Sequence, residues 1–170
     1  MVRVKDYWPE VANDLTRVSW SHATNSKALL DQALADSTMM IEADVSLGPE
    51  NVPIMAHPPA NTSDLSLEQF LEYVLASTES GAKKGIKLDF KFLGVVEPSL
   101  QILDGLRDKL KIPLWLNADI LQGPGGGELP SLIIRLTLCS MTCMLREPKQ
   151  FFLQMVKSAF EFVKNFSTHT

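Results

Sequence analysis

The chain has 170 residues, 45% of them hydrophobic and 21% charged, with a formal net charge of −4. That is enough for one domain with a sizeable core and short for two. The slightly acidic balance offers no basic stripe, so no nucleic-acid partner is expected. Two cysteines, Cys139 and Cys143, make neither a disulfide framework nor a CxxC metal pair. Met1 to Glu10 mixes charges with aromatics and holds no apolar core of a secretory signal, which predicts a cytoplasmic protein. The longest apolar segment, Leu129 to Leu145, is broken by Arg135 and by several Ser and Thr, so no membrane span is expected.

In chain order, a polar opening leads to Leu15–His22, which reads as a first strand, and then to a helix over Ala28–Ala35 with Asn25 or Ser26 as N-cap. Met39–Val45 is an apolar, β-prone run that carries Glu42 and Asp44. Alternate side chains of a strand share a face, so these two carboxylates point together while Ile41, Ala43 and Val45 point the other way. Side by side in a buried strand they need a positive partner, either a cation or the charged part of a ligand. The alternative is an exposed strand end with both groups solvated. Gly48–Asn51 is a turn, and Val52–His57 is a short extended piece stopped by Pro58 and Pro59.

A second helix is predicted over Leu67–Leu75, with Ser66 and Gln69 forming a capping box. Gly81–Gly85 reads as a basic turn. Ile86–Lys91 alternates strictly and predicts a strand with Lys87, Asp89 and Lys91 on one face. The two lysines either contact an anion or form a neutralising ladder beside Asp89. A helix over about residues 95–110 follows, with Lys109 and Lys111 placed for its dipole. Pro113–Ile120 is the next strand and ends in Asn117 and Asp119. Trp20 and Trp115 read as core.

Strands alternating with helices predict an α/β fold with a parallel sheet of βα units, whose ligands bind at the carboxyl ends of the strands. Polar residues mark each of those ends: His22, then Glu42 and Asp44, then Lys87, Asp89 and Lys91, then Asn117 and Asp119. Beyond the glycines of 123–127 the rhythm stops. The expected organisation is a partial (β/α) barrel over residues 1–124 and a divergent tail over 125–170, with an amphipathic helix at about 148–166.

Five segments carry a family resemblance: Trp20-Ser21-His22-Ala23-Thr24-Asn25-Ser26, Ile41-Glu42-Ala43-Asp44-Val45, Pro53-Ile54-Met55-Ala56-His57-Pro58-Pro59, Gly85-Ile86-Lys87-Leu88-Asp89-Phe90-Lys91 and Trp115-Leu116-Asn117-Ala118-Asp119-Ile120. Their joint order closely resembles the menorin family from about Arg17 to Pro124. That family is in turn similar to the glycerophosphodiester phosphodiesterases and related phospholipase-like enzymes, which are TIM barrels. The resemblance implies that His22 and His57 match acid/base histidines and that Glu42 and Asp44 match metal ligands. It implies that Asp89 or Lys87 stands where a further ligand and a phosphate-facing lysine are found. Their places at strand ends add Asp119 to the candidate metal ligands, and Asn25, Lys87, Lys91 and Asn117 to the candidate substrate contacts.

Hard oxygen donors suit Mg²⁺ or Ca²⁺. Two positions depart from the phosphodiesterase pattern: Ala23 stands where an Arg is expected, and Pro58 follows His57 where an Asp is usual. The implied function is that of a metal-dependent phosphodiesterase acting on a phosphodiester or phospholipid-like ligand. The alternative is a non-catalytic binding or adhesion scaffold, and the resemblance is also compatible with an extracellular location. A whole TIM barrel takes roughly 250 residues and eight strands. With about four parallel strands before the glycines, the chain reads as the first half of a TIM-type barrel followed by a helical tail outside the family. A truncated, alternatively spliced product of this kind, with activity lost and strand edges open, is the expectation.

Overall fold

The strictly alternating strands bury both of their faces, one against helices and the other against a charged and aromatic layer. The computed structural model describes residues 2–11, 14–119 and 135–137, with side chains as far as residue 117. Its elements are helix α1 (Val4–Tyr7), strand β1 (Trp20–Ser21), α2 (Lys27–Ala35), β2 (Met40–Leu47), β3 (Pro53–Met55), α3 (Leu67–Glu79), β4 (Gly85–Phe90), α4 (Leu93–Gly105), β5 (Leu114–Asp119) and β6 (Arg135–Thr137). Strands β1, β2, β4 and β5 are parallel neighbours in chain order. Strand β3 pairs antiparallel with the far end of β2, and β6 pairs antiparallel with β5.

Because the parallel strands never reverse their order, every crossover winds the same way and the helices fall on one face. That is the winding of a (β/α) barrel, not of a doubly wound sheet. Ile41, Ala43 and Val45 of β2 and Ile86, Leu88 and Phe90 of β4 form one core with Leu30 of α2, Phe70, Leu71 and Val74 of α3, and Val95 and Leu100 of α4. The opposite face begins with a smaller cluster, in which Val4, Trp8, Val11 and Val18 of the N-terminal segment cover Met40, with Trp115 packed alongside.

That second face is concave. Trp20 on β1 and Trp115 on β5 have ring centroids 5.2 Å apart although β2 and β4 lie between their strands. In a flat sheet three strand spacings would separate those two backbones by roughly 14 Å, with the side chains pointing the same way. The sheet curls until the two indoles meet, as the wall of a barrel must.

Several local expectations are refined. Leu15–Arg17 is a 3₁₀ turn and not part of a strand, because the Asp14 carboxylate accepts from the Thr16 backbone N–H and holds the chain in a cap. Strand β1 is therefore only two residues long. Ser26 is the N-cap of α2, and the Ser66–Gln69 capping box starts α3. Helix α4 ends at Gly105, where tighter turn bonds such as Arg107 N–H to Asp104 O take over, so Lys109 and Lys111 lie past its last turn. Among the described residues no helix is long and apolar enough to cross a membrane. The amphipathic helix expected at 148–166, the two cysteines and the glycines of 123–127 lie outside the described residues.

Candidate cation and anion site

Pairing register stacks the polar residues of the concave face in layers. Glu42 lies opposite Lys87, Asp44 opposite Asp89, and Asp89 opposite Asn117. The layer below is Met40 beside Gly85, against which Trp8 of the N-terminal segment packs. Glu42, Asp44, Asp89 and Asn117 are all buried. Four polar groups so placed must satisfy one another, and among the described residues no buried side-chain nitrogen or oxygen lacks a hydrogen-bond partner.

The loop from β1 to α2 supplies much of that satisfaction. Ala23 has φ of 55°, a left-handed conformation that alanine adopts at a cost. In it the Ala23 N–H donates to Glu42 Oε2 at 2.8 Å, and the Thr24 N–H donates to the Glu42 carbonyl at 2.9 Å. Asn25 clamps the next residue pair: its Nδ2 donates to Asp44 Oδ2 at 2.7 Å, and its Oδ1 accepts from the Asp44 backbone N–H at 2.8 Å. Asn117 Nδ2 donates to Asp89 Oδ1 at 2.6 Å. Asn25 and Asn117 thus hold the carboxylates in place.

Two lysines rise from β4 and its end. Lys87 Nζ stands 3.7 Å from Glu42 Oε1. Lys91 Nζ reaches both aspartates, at 2.9 Å from Asp44 Oδ1 and 3.1 Å from Asp89 Oδ2. Burial works against ionising Asp44, but hydrogen bonds from Asn25 and Lys91 and the charges of Lys91 and His57 outweigh it and hold its carboxyl below the ordinary range. Burial also works against the Lys91 ammonium. There the hydrogen bonds to, and the charges on, Asp44 and Asp89 prevail and hold its pKa above the ordinary lysine range.

The histidines stand at the rim. The His22 side chain is 82% exposed, and its Nε2 lies 3.6 Å from Glu42 Oε2. His57 is exposed, with Nδ1 2.7 Å from the Pro58 carbonyl. The turn that carries it is fixed by the Ala56 N–H donating to the Asp44 carbonyl and by Ser46 Oγ donating to the Ala56 carbonyl.

The menorin N-terminal domain family matches residues 14–134. The chain belongs to the menorin family. It is 50% identical over 121 residues to human Protein FAM151B, an alignment covering 69% of this chain and 42% of that protein. The menorin chain therefore spans about two fifths of that relative's length. Among solved structures it is similar to the crystal structure of S. officinalis PLC21, with a TM-score of 0.46 and 12% identity over 62% of this chain and 18% of the other.

Of the residues singled out in the menorin sequence, Glu42, Asp44 and Asp89 each present a carboxylate oxygen within 4.8 Å of the others. Lys87, Lys91, Asn25 and Asn117 surround them, and His22 flanks Glu42. The Asp119 backbone is in β5, but its side chain lies outside the described residues. The Ala23 backbone N–H was not legible beforehand, because a backbone donor in a left-handed loop leaves no side-chain signature. As donors, three carboxylates offer only hard oxygens, which fit Mg²⁺ or Ca²⁺ and not a soft metal.

Proposed function

We propose that this face binds a divalent cation, Mg²⁺ or Ca²⁺, and with it a phosphodiester-bearing ligand. The supporting observation is the convergence of Glu42, Asp44 and Asp89 within 4.8 Å, buried, on one face of two adjacent parallel strands. Glu42, Asp44 and Asp89 would hold the ion, whose contribution when bound is positive charge for the phosphoryl oxygens. Lys87, part-buried beside Glu42, adds a second cation to the same mouth. His22 and His57 reach solvent at the rim, where an imidazole can take or give a proton to a ligand oxygen. Ala23 presents no guanidinium, so anion binding falls to the lysines.

Isothermal titration calorimetry tests this reading. Wild type is expected to bind Mg²⁺ or Ca²⁺, and Glu42→Gln to bind more than about tenfold more weakly, since ligand charge sets affinity in such sites. A second reading, a phosphodiesterase-derived scaffold without the ion, is favoured by one observation: Lys91 already neutralises Asp44 and Asp89. Absence of binding heat in wild type would decide for the scaffold.

A further inference from the structure

We propose that Lys91 is an internal counter-ion of this site, holding Asp44 and Asp89 together when no divalent cation is bound and leaving them when one binds. The inference rests on the cation-binding reading above and states what regulates it. The ammonium bridges two of the three carboxylates, one from each strand, at 2.9 and 3.1 Å. The Lys91 side chain is only 12% exposed, so water does not screen its charge well. A divalent ion seated on the same two aspartates would face that ammonium at short range, and like charges do not share such a pocket. One of them has to go.

Lys91 is able to leave. Its backbone is fixed at the end of the ladder, where its N–H donates to the Val45 carbonyl, but its ammonium sits on a flexible four-carbon stem that can swing away. Lys84 makes a useful contrast: its ammonium is tied to three backbone carbonyls in the opposite, amino-terminal approach to β4 and has no reason to respond to a cation. The cost of displacing Lys91 is built into every binding event, so the site's affinity is set partly by a residue that need not touch the ion.

Calorimetric titration of Mg²⁺ into wild type and Lys91→Met tests the idea. Removing the competitor is expected to tighten Mg²⁺ binding by about tenfold or more; binding seen only in Lys91→Met overturns the proposal, since Lys91 then keeps the site and does not yield it. Lys91→Arg, which keeps the charge, is expected not to tighten it. If wild type binds and Lys91→Met binds no more tightly, the counter-ion proposal fails while the cation site stands. If neither binds, the cation reading fails and this one with it. Should Lys91→Met not fold, the wild type decides by NMR of labelled lysine side chains: saturating Mg²⁺ is expected to move the Lys91 signal and leave that of Lys84 in place. An unmoved Lys91 signal at saturation overturns the proposal.

Discussion

Lys84 is 3% exposed, and its ammonium donates to the carbonyls of Ala33, Asp36 and Thr38, each at 2.7 Å. Those carbonyls belong to the end of α2 and the link into β2, where the close of a helix leaves acceptors outside its own ladder. A positive charge there also suits the helix dipole. Lys84→Met keeps the stem and removes the donors, leaving buried acceptors unmet; a loss of about 3 kcal/mol in urea denaturation is expected. Nothing in Lys83-Lys84-Gly85 distinguishes this lysine from a solvated one in a turn, which is how the stretch reads in isolation.

Asp44 carries the pH dependence at this scale. Its folded pKa is depressed below its ordinary value of 3.8. The unfolded state therefore binds its proton first, and the stability Asp44 contributes is fully present above that ordinary value. It is lost as the pH falls through the lower, folded value. Denaturation measured between about pH 6 and pH 2 is expected to show stability falling below about pH 4, with a shallower fall in Asp44→Asn.

At the scale of elements, β2 and β4 were legible as strands with one charged and one apolar face, because a period of two is a property of the chain itself. The cap at Ser66 was legible for the same reason, since an N-cap acts over three residues, and that of α2 was narrowed to Asn25 or Ser26, of which the structure has Ser26. The start of the first strand was not, since a single Asp14 side chain turned Leu15–Arg17 into a 3₁₀ cap and left only Trp20–Ser21 extended. Gly85 has a role that is invisible until the strands pair. A Cβ there would lie 2.4 Å from Met40 Sδ and 3.0 Å from the Trp8 ring. Gly85→Ala is expected to cost about 1–3 kcal/mol, read as a lowered thermal midpoint, because the methyl must push Met40 into the N-terminal cover of the concave face.

For the whole molecule, the decisive features are winding and curvature. Parallel strands in chain order place the crossover helices α2, α3 and α4 behind the sheet and leave the other face for the site. The curl that brings Trp20 to Trp115 makes that face concave, and on it the carboxylates lose water and gain partners.

The sequence by itself determined the family, the βα rhythm and which side chains share a strand face, since these follow from local order and a two-residue repeat. It also put Glu42 with Asp44, and Lys87 with Asp89 and Lys91, on shared strand faces, but read them as strand ends, whereas Glu42 and Asp44 lie within β2, which runs on to Leu47, and Lys87 lies within β4. Only the tertiary structure decided that Asp44 stands opposite Asp89, that Lys91 bridges them, that Asn25 clamps Asp44 and that Ala23 turns its N–H onto Glu42. Register and curvature arise from contacts between segments far apart in the chain, and no single stretch contains them.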